Sequence, residues 1–257
     1  MGSWQQPFLI LYAFAVGSVV GSFLNVVIHR VPRRLSIVRP GSACPACGAA
    51  IRFYDNIPLL SWLILRARCR DCGAPISMRY PLVEAAAGLF AALTIVRYGV
   101  SVVGFEVLIF AWASLALGLI DLDHQILPDV ITYPCILFGV ACSALGGVTD
   151  LKDSLAGAAA GAALPILVIV SYKLLRGVEG MGWGDVKYLA AIGSVVGIRD
   201  CLWVLMIAAI CGALVGLGLI IIGRGSGKTA LPFGSFLALA VLVWLYAPLE
   251  LIPWVLP

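Results

Sequence analysis

The sequence predicts an all-α polytopic membrane protein of about eight transmembrane helices, with a small cysteine-bearing domain between the first and second. Three observations predict it. Only 12% of the 257 residues are charged and 62% are hydrophobic, whereas soluble domains carry about 25% charged residues; mean hydropathy is +1.06. Several apolar runs reach the roughly 17–25 residues that a helix needs to cross a bilayer. Two Cys-x-x-Cys pairs stand together in the one long polar stretch.

Taken in order, spans are expected at about 7–28, 81–98, 102–120, 130–148, 154–175, 186–198, 201–222 and 231–249. The first lacks a basic leader and a small-residue cleavage site, so it reads as a retained span and not as a signal peptide. The sixth is short, and is expected to tilt or to begin within the preceding glycine-rich segment.

Orientation follows from the basic residues of the connecting loops. Nine arginines lie between Arg30 and Arg79, opposed only by Asp55 and Asp71. That loop is expected in the cytoplasm, with the N-terminus outside. Eight spans then place Lys173, Arg176, Lys187, Arg224 and Lys228 on the same side, and only Arg97, Lys152 and Arg199 on the other. Topology accounts for the net charge of +4, and nucleic acid is not an expected partner; the lipid bilayer is.

Within the basic loop, "CPACG" supplies Cys44 and Cys47, and "CRDCG" supplies Cys69 and Cys72. Two such pairs, each followed by glycine, suit a zinc ribbon in which four thiolates complete a tetrahedral shell. Disulfides are the competing reading, but a cytoplasmic loop lies in a reducing compartment. A shell filled by four sulfurs leaves no open position for water or substrate, so the expected Zn2+ is structural. Cys135, Cys142, Cys201 and Cys211 sit in apolar runs and are expected to behave as small buried hydrophobes.

Two acidic clusters fall at the same membrane depth by this topology. Asp121, Asp123 and Asp129 stand at the inner end of the third span, and Asp185 at the inner end of the sixth. An ionisable group at membrane depth costs about 2.5–3.5 kcal/mol even on insertion scales, and usually marks function. Asp129 follows Pro128 and precedes an apolar run, so it reads as an N-cap for the fourth span. Asp121 and Asp123 are two apart and point to different faces of a helix; Asp121, continuing the apolar run, is the deeper. Asp185 ends "GMGWGD". Capping would explain an aspartate there, but not the alternation of Gly180, Gly182 and Gly184. Glycine is retained where another backbone must come close, and an extended peptide substrate would need the clearance that Gly182 and Gly184 give. Two nearby carboxyls share one proton, which divides the work of general acid and general base.

The motifs resemble those of the type IV prepilin peptidases, bifunctional leader peptidase/N-methyltransferases within the wider GxGD group of intramembrane aspartyl proteases. The resemblance covers nearly the whole chain: "GSFLNVVIHRVPR", "CPACG…FYDNIPLLSW…CRDCGAPISMRYPLVE", "IDLDHQILPD", "GMGWGDVKYLA" and "LPFGSFLALA". The family usually shows a second proline where Ser235 stands. The resemblance implies that Asp121 and Asp185 are the catalytic pair, and that the substrate is a prepilin or type II secretion pseudopilin cut after a glycine at the cytoplasmic face of the bacterial inner membrane. It also implies methylation of the new N-terminal amine by S-adenosylmethionine, with the cysteine-bearing loop engaged in that step. The expected organisation is a first span over 1–28, a cytoplasmic four-cysteine domain over 29–80 and a multi-span peptidase domain over 81–257. The alternatives are an ion- or proton-coupled transporter using the paired aspartates, and a metal-bearing membrane scaffold without chemistry.

Overall fold

The computed structural model describes residues 5–177, 181–224 and 231–247. Gly180, Lys228 and the last residues of the final expected span lie outside them. The chain divides into two compact units, Met1–Val100 and Ser101–Pro257. The described residues are helical, with isolated β-bridges and no named strand, which is the expected fold class.

In the first unit, helix α1 (Gln5–Arg30) packs along α3 (Arg79–Tyr98). Small residues allow this. A Cβ placed on Gly17 would stand 2.7 Å from the Ala87 carbonyl and from the Ala91 Cβ, and one on Gly21 would stand 2.7 Å from the Glu84 Cα. In lipid, where no hydrophobic force drives helices together, such close backbone approach supplies the packing energy. Between these helices the chain forms a 3-10 turn (Phe53–Asp55), the short helix α2 (Leu60–Ile64) and two cysteine-bearing loops. The Glu84 carboxylate, buried in α3, accepts the Leu59 backbone N–H at 2.8 Å and so fastens the start of α2.

The second unit contains α4 (Val102–His124), α5 (Asp129–Ala144), α6 (Leu151–Arg176), α7 (Trp183–Ile221) and α8 (Phe233–Tyr246). Ser101 caps α4 by accepting the Gly104 N–H at 3.0 Å, and Asp150 caps α6 by accepting the Asp153 N–H at 2.8 Å. Helix α7 packs against α5, α6 and α8, while α4 packs against α5 and α8. The first half of α7 is buried on nearly every side from Asp185 to Gly197, as expected of a helix apolar all round. The contact of α7 with α6 is made backbone to backbone: a Cβ on Gly157 or Gly193 would strike the carbonyl oxygen of the other.

Helices α1, α3, α4, α6 and α7 are long and apolar enough to cross a membrane. The sixth and seventh expected spans are the two helical segments of α7, which meet at a kink at Gly197, whose φ of 80° and ψ of 176° leave the helical region. Helix α5 has 16 residues and α8 has 14, shorter than the expected spans. Asp129 is not the cap of α5: Pro128 occupies that position, and the Asp129 carboxylate instead accepts from Lys187 Nζ of α7 at 2.7 Å.

Candidate functional site

Three helix ends meet in the second unit. Asp121 lies in the last turn of α4, Asp185 in the first turn of α7 and Ser235 in the first turn of α8. Both aspartates are buried, at 5% and 9% exposure, whereas Asp123 is exposed. The two-residue offset thus turns one carboxylate inward and the other outward, as a helix requires. Asp121 and Asp185 lie within electrostatic reach of each other.

The segment joining α4 to α5 builds the contact between them. Leu127, itself 7% exposed, packs between the starts of α7 and α8. A Cβ on Gly184 would stand 3.0 Å from the Leu127 Cβ, and one on Gly234 would stand 2.8 Å from Leu127 Cδ1 and 3.1 Å from the Asp121 Cγ. The clearance at Gly184 is therefore filled by this chain's own leucine. Gly182 differs: its missing Cβ would face Asp185 Oδ2 at 3.3 Å, with only the Gly184 N otherwise within 4 Å. Among the described residues, nothing else lies within 4 Å of that position.

Asp121 is held from α8. The Ser235 N–H donates to Asp121 Oδ2 at 2.8 Å, and the Ser235 hydroxyl lies 3.2 Å from the same oxygen and 2.8 Å from the Gly118 carbonyl. The Lys187–Asp129 ion pair ties α7 to α5 two residues beyond Asp185. Neither Leu127 nor Ser235 stood out in the sequence as a site residue. The sequence marked Ser235 only as a departure from the expected proline.

In the first unit, the Sγ atoms of Cys44, Cys47, Cys69 and Cys72 all lie within 4.8 Å of one another. The two loops are built alike. Cys44 N–H donates to the Ala49 carbonyl at 2.9 Å and Cys69 N–H to the Ala74 carbonyl at 2.8 Å; Gly48 N–H and Gly73 N–H return to Cys44 and Cys69 at 2.9 and 3.0 Å. Gly48 and Gly73, at φ of 74° and 72°, take the left-handed conformation that closes each turn without a Cβ penalty. Backbone N–H groups of Cys47 and Ala46 are directed at the Cys44 sulfur and lower its thiol pKa to about 7. The Arg70 guanidinium clasps Asp55 with two bonds of 2.8 and 2.6 Å, and Trp62 Nε1 donates to the Ile76 carbonyl at 3.2 Å. These contacts join the second loop to the 3-10 turn and α2. The four sulfurs can hold a metal ion. Beside them in sequence, a cavity of about 560 Å3 is bordered by the Val19–Arg30 face of α1 and by Ser42 and Asn56. Arg30 forms its wall by donating to the carbonyls of Ser36, Pro40 and Gly41.

Comparison with known proteins agrees with both units. Residues 15–98 match the bacterial peptidase A24 N-terminal domain, and residues 108–217 match the type IV leader peptidase family. The chain is 39% identical to a prepilin leader peptidase/N-methyltransferase of Burkholderia pseudomallei (strain 1026b), over 89% of this chain and 82% of that one. It is 38% identical to the protein of that name from Aeromonas hydrophila, over 92% and 90%, and 44% identical to that of Myxococcus xanthus (strain DK1622), over 87% and 67%. No solved structure matches the chain. With its membrane-spanning helices and matches at these identities over most of its length, the chain belongs to the type IV leader peptidase family, as a multi-pass protein of the bacterial inner membrane.

Proposed function

We propose that this protein cuts the leader from type IV prepilins or type II secretion pseudopilins after a glycine, with Asp121 and Asp185 as its catalytic pair, and then methylates the new N-terminus. The observation that carries the reading is the convergence of two buried aspartates at three helix ends. The ionised partner takes a proton from water as the water oxygen attacks the scissile carbonyl. The protonated partner hydrogen-bonds the developing oxyanion and then passes its proton to the departing amine as the C–N bond breaks. The leader leaves with a carboxylate and the mature pilin with a free amine. The excess of basic residues in the loops supports a site at the cytoplasmic face, where a basic leader would lie.

The segment 29–80 serves the second step. Cys44, Cys47, Cys69 and Cys72 would hold a structural Zn2+, since two mirrored turns present four thiols and no other ligand is needed. S-adenosylmethionine, when bound, supplies a methyl group on a sulfonium. The cavity beside Arg30, Ser42 and Asn56 falls within the ~300–1,000 Å3 range of small-molecule sites and offers hydroxyl and amide donors to hold it. The residues 81–257 carry the remaining spans and the acid pair.

The test is incubation of purified protein with a prepilin, with and without S-adenosylmethionine, followed by mass analysis of the mature N-terminus. The expected products are a free amine without the donor and an N-methyl group with it. An intact prepilin under both conditions would refute the reading.

A further inference from the structure

We infer that Ser235 is a positioning residue that keeps Asp121 as the ionised member of the pair, so that Asp121 is the base and Asp185 holds the proton. This rests on the peptidase reading above and adds a division of labour to it.

Burial does not separate the two acids, since they are 5% and 9% exposed. Their donors do. Asp121 faces the Ser235 N–H at 2.8 Å, the Ser235 hydroxyl at 3.2 Å and the Gly234 N–H, all from the first turn of α8. Among the described residues, Asp185 faces one backbone N–H, that of Gly182 at the start of its own helix. A backbone N–H can only donate, so each favours the charged carboxylate; α8 presents its positive end to Asp121 and α7 does so to Asp185, so helix ends do not favour Asp121 and the donors carry the difference. The hydroxyl has one proton and two acceptors in reach, Gly118 O at 2.8 Å and Asp121 Oδ2. The Ser235 N–H is also shared, with Pro232 O at 3.1 Å, but its contact with Asp121 is the shorter of its two, whereas that of the hydroxyl is the longer.

Other titratable groups do not reverse this balance. Helix α7 presents Asp185, Lys187 and Tyr188 near the site; α5 presents Asp129, Tyr133 and Cys135; α8 has only Tyr246, at its far end. Lys187, the one cation among them, is engaged by Asp129. On α4 itself, Asp123 is exposed and His124 ends the helix. A proline at 235, as the family usually has, cannot donate from its backbone, so this chain biases its pair by a bond that a proline would remove.

The experiment is the pH profile of prepilin cleavage for the purified protein and for Ser235→Thr, Ser235→Ala and Ser235→Pro. The acid limb reports the first ionisation of the pair, and the alkaline limb its second. Loss of donors to a charged oxygen disfavours its charged form. The acid limb should rise by about one pH unit in Ser235→Pro, by less in Ser235→Ala, and not at all in Ser235→Thr, with the alkaline limb fixed. Proline is tolerated in a first helical turn, and Ser235→Ala tests the hydroxyl without it. An acid limb unmoved in both variants, or an alkaline limb that rises instead, overturns the inference. Failure of the peptidase reading looks different: Asp121→Asn would then cleave at the wild-type rate.

Discussion

Leu127 packs against Gly184 so closely that a Cβ on that glycine would stand 3.0 Å from the Leu127 Cβ. The same leucine fills the space left by Gly234, so one side chain sets the spacing of two helix starts that carry the acid pair and its donors. Gly184→Ala and Gly234→Ala should each slow prepilin cleavage about ten- to a hundred-fold, the scale expected when reacting groups shift by about an ångström. Gly234→Ala should be the more severe, because its new methyl also meets the Asp121 Cγ at 3.1 Å. Initial rates, with a melting curve to confirm folding, check this. Full rates in both variants would show that the spacing does not matter.

The four-cysteine cluster predicts one zinc ion per chain. Cys44→Ser or Cys72→Ser should release it, because three thiolates and a hydroxyl do not match a tetrathiolate shell. Metal analysis reads the loss directly. Methylation should fall to background while cleavage persists, since the acid pair uses no metal. Native protein free of zinc would end this account of the loop.

The Arg70–Asp55 clasp makes a sharper prediction about the same loop. The hydrogen bonds from Arg70 hold the Asp55 carboxyl below its ordinary range, so the contribution of the pair is complete above that range and fades only as pH falls through the depressed value. Asp55→Asn should therefore make the loop more sensitive to proteolysis by the same factor at every pH between about 6 and 8. A difference that changes across this interval would implicate another group.

The α6–α7 seam predicts a stability effect with a built-in control. Gly157 and Gly193 face each other's carbonyl oxygens, and a Cβ on Gly161 would strike that of Leu189. Gly193→Val should destabilise the protein by about 1–3 kcal/mol or more, the usual cost of overpacking. Gly218→Val, on the same helix but with nothing among the described residues within 4 Å of its missing Cβ, should be nearly neutral. Thermal unfolding in detergent compares them.

Much of this architecture was legible in the sequence because lipid imposes simple rules. Apolar length marked α1, α3, α4 and α6 to within a few residues, and the paired cysteines announced the cluster that the structure assembles. The expected division between the sixth and seventh spans falls near Gly197, whose non-helical backbone separates α7 into two helical segments. Asp129 was expected as a cap, but its carboxylate is drawn to Lys187, 58 residues away in sequence. Asp121 and Asp185 stood out as acids at membrane depth. The residues that hold them did not: Leu127 is an ordinary apolar residue in a polar turn, and the bond from Ser235 spans 114 residues. The glycines of "GAAAG", Gly157 and Gly161, carried a small-residue packing signal that only the opposing helix makes meaningful.

The central claim is that two buried carboxyls on different helices perform the cleavage together. Its most direct test is the rate of prepilin cleavage by purified Asp121→Asn and Asp185→Asn proteins in detergent, with zinc content and melting temperature measured alongside. Each variant should lose at least about a hundred- to ten-thousand-fold in rate, while its zinc content and melting temperature stay close to those of the parent. Cleavage near the parental rate by either folded variant would contradict the account.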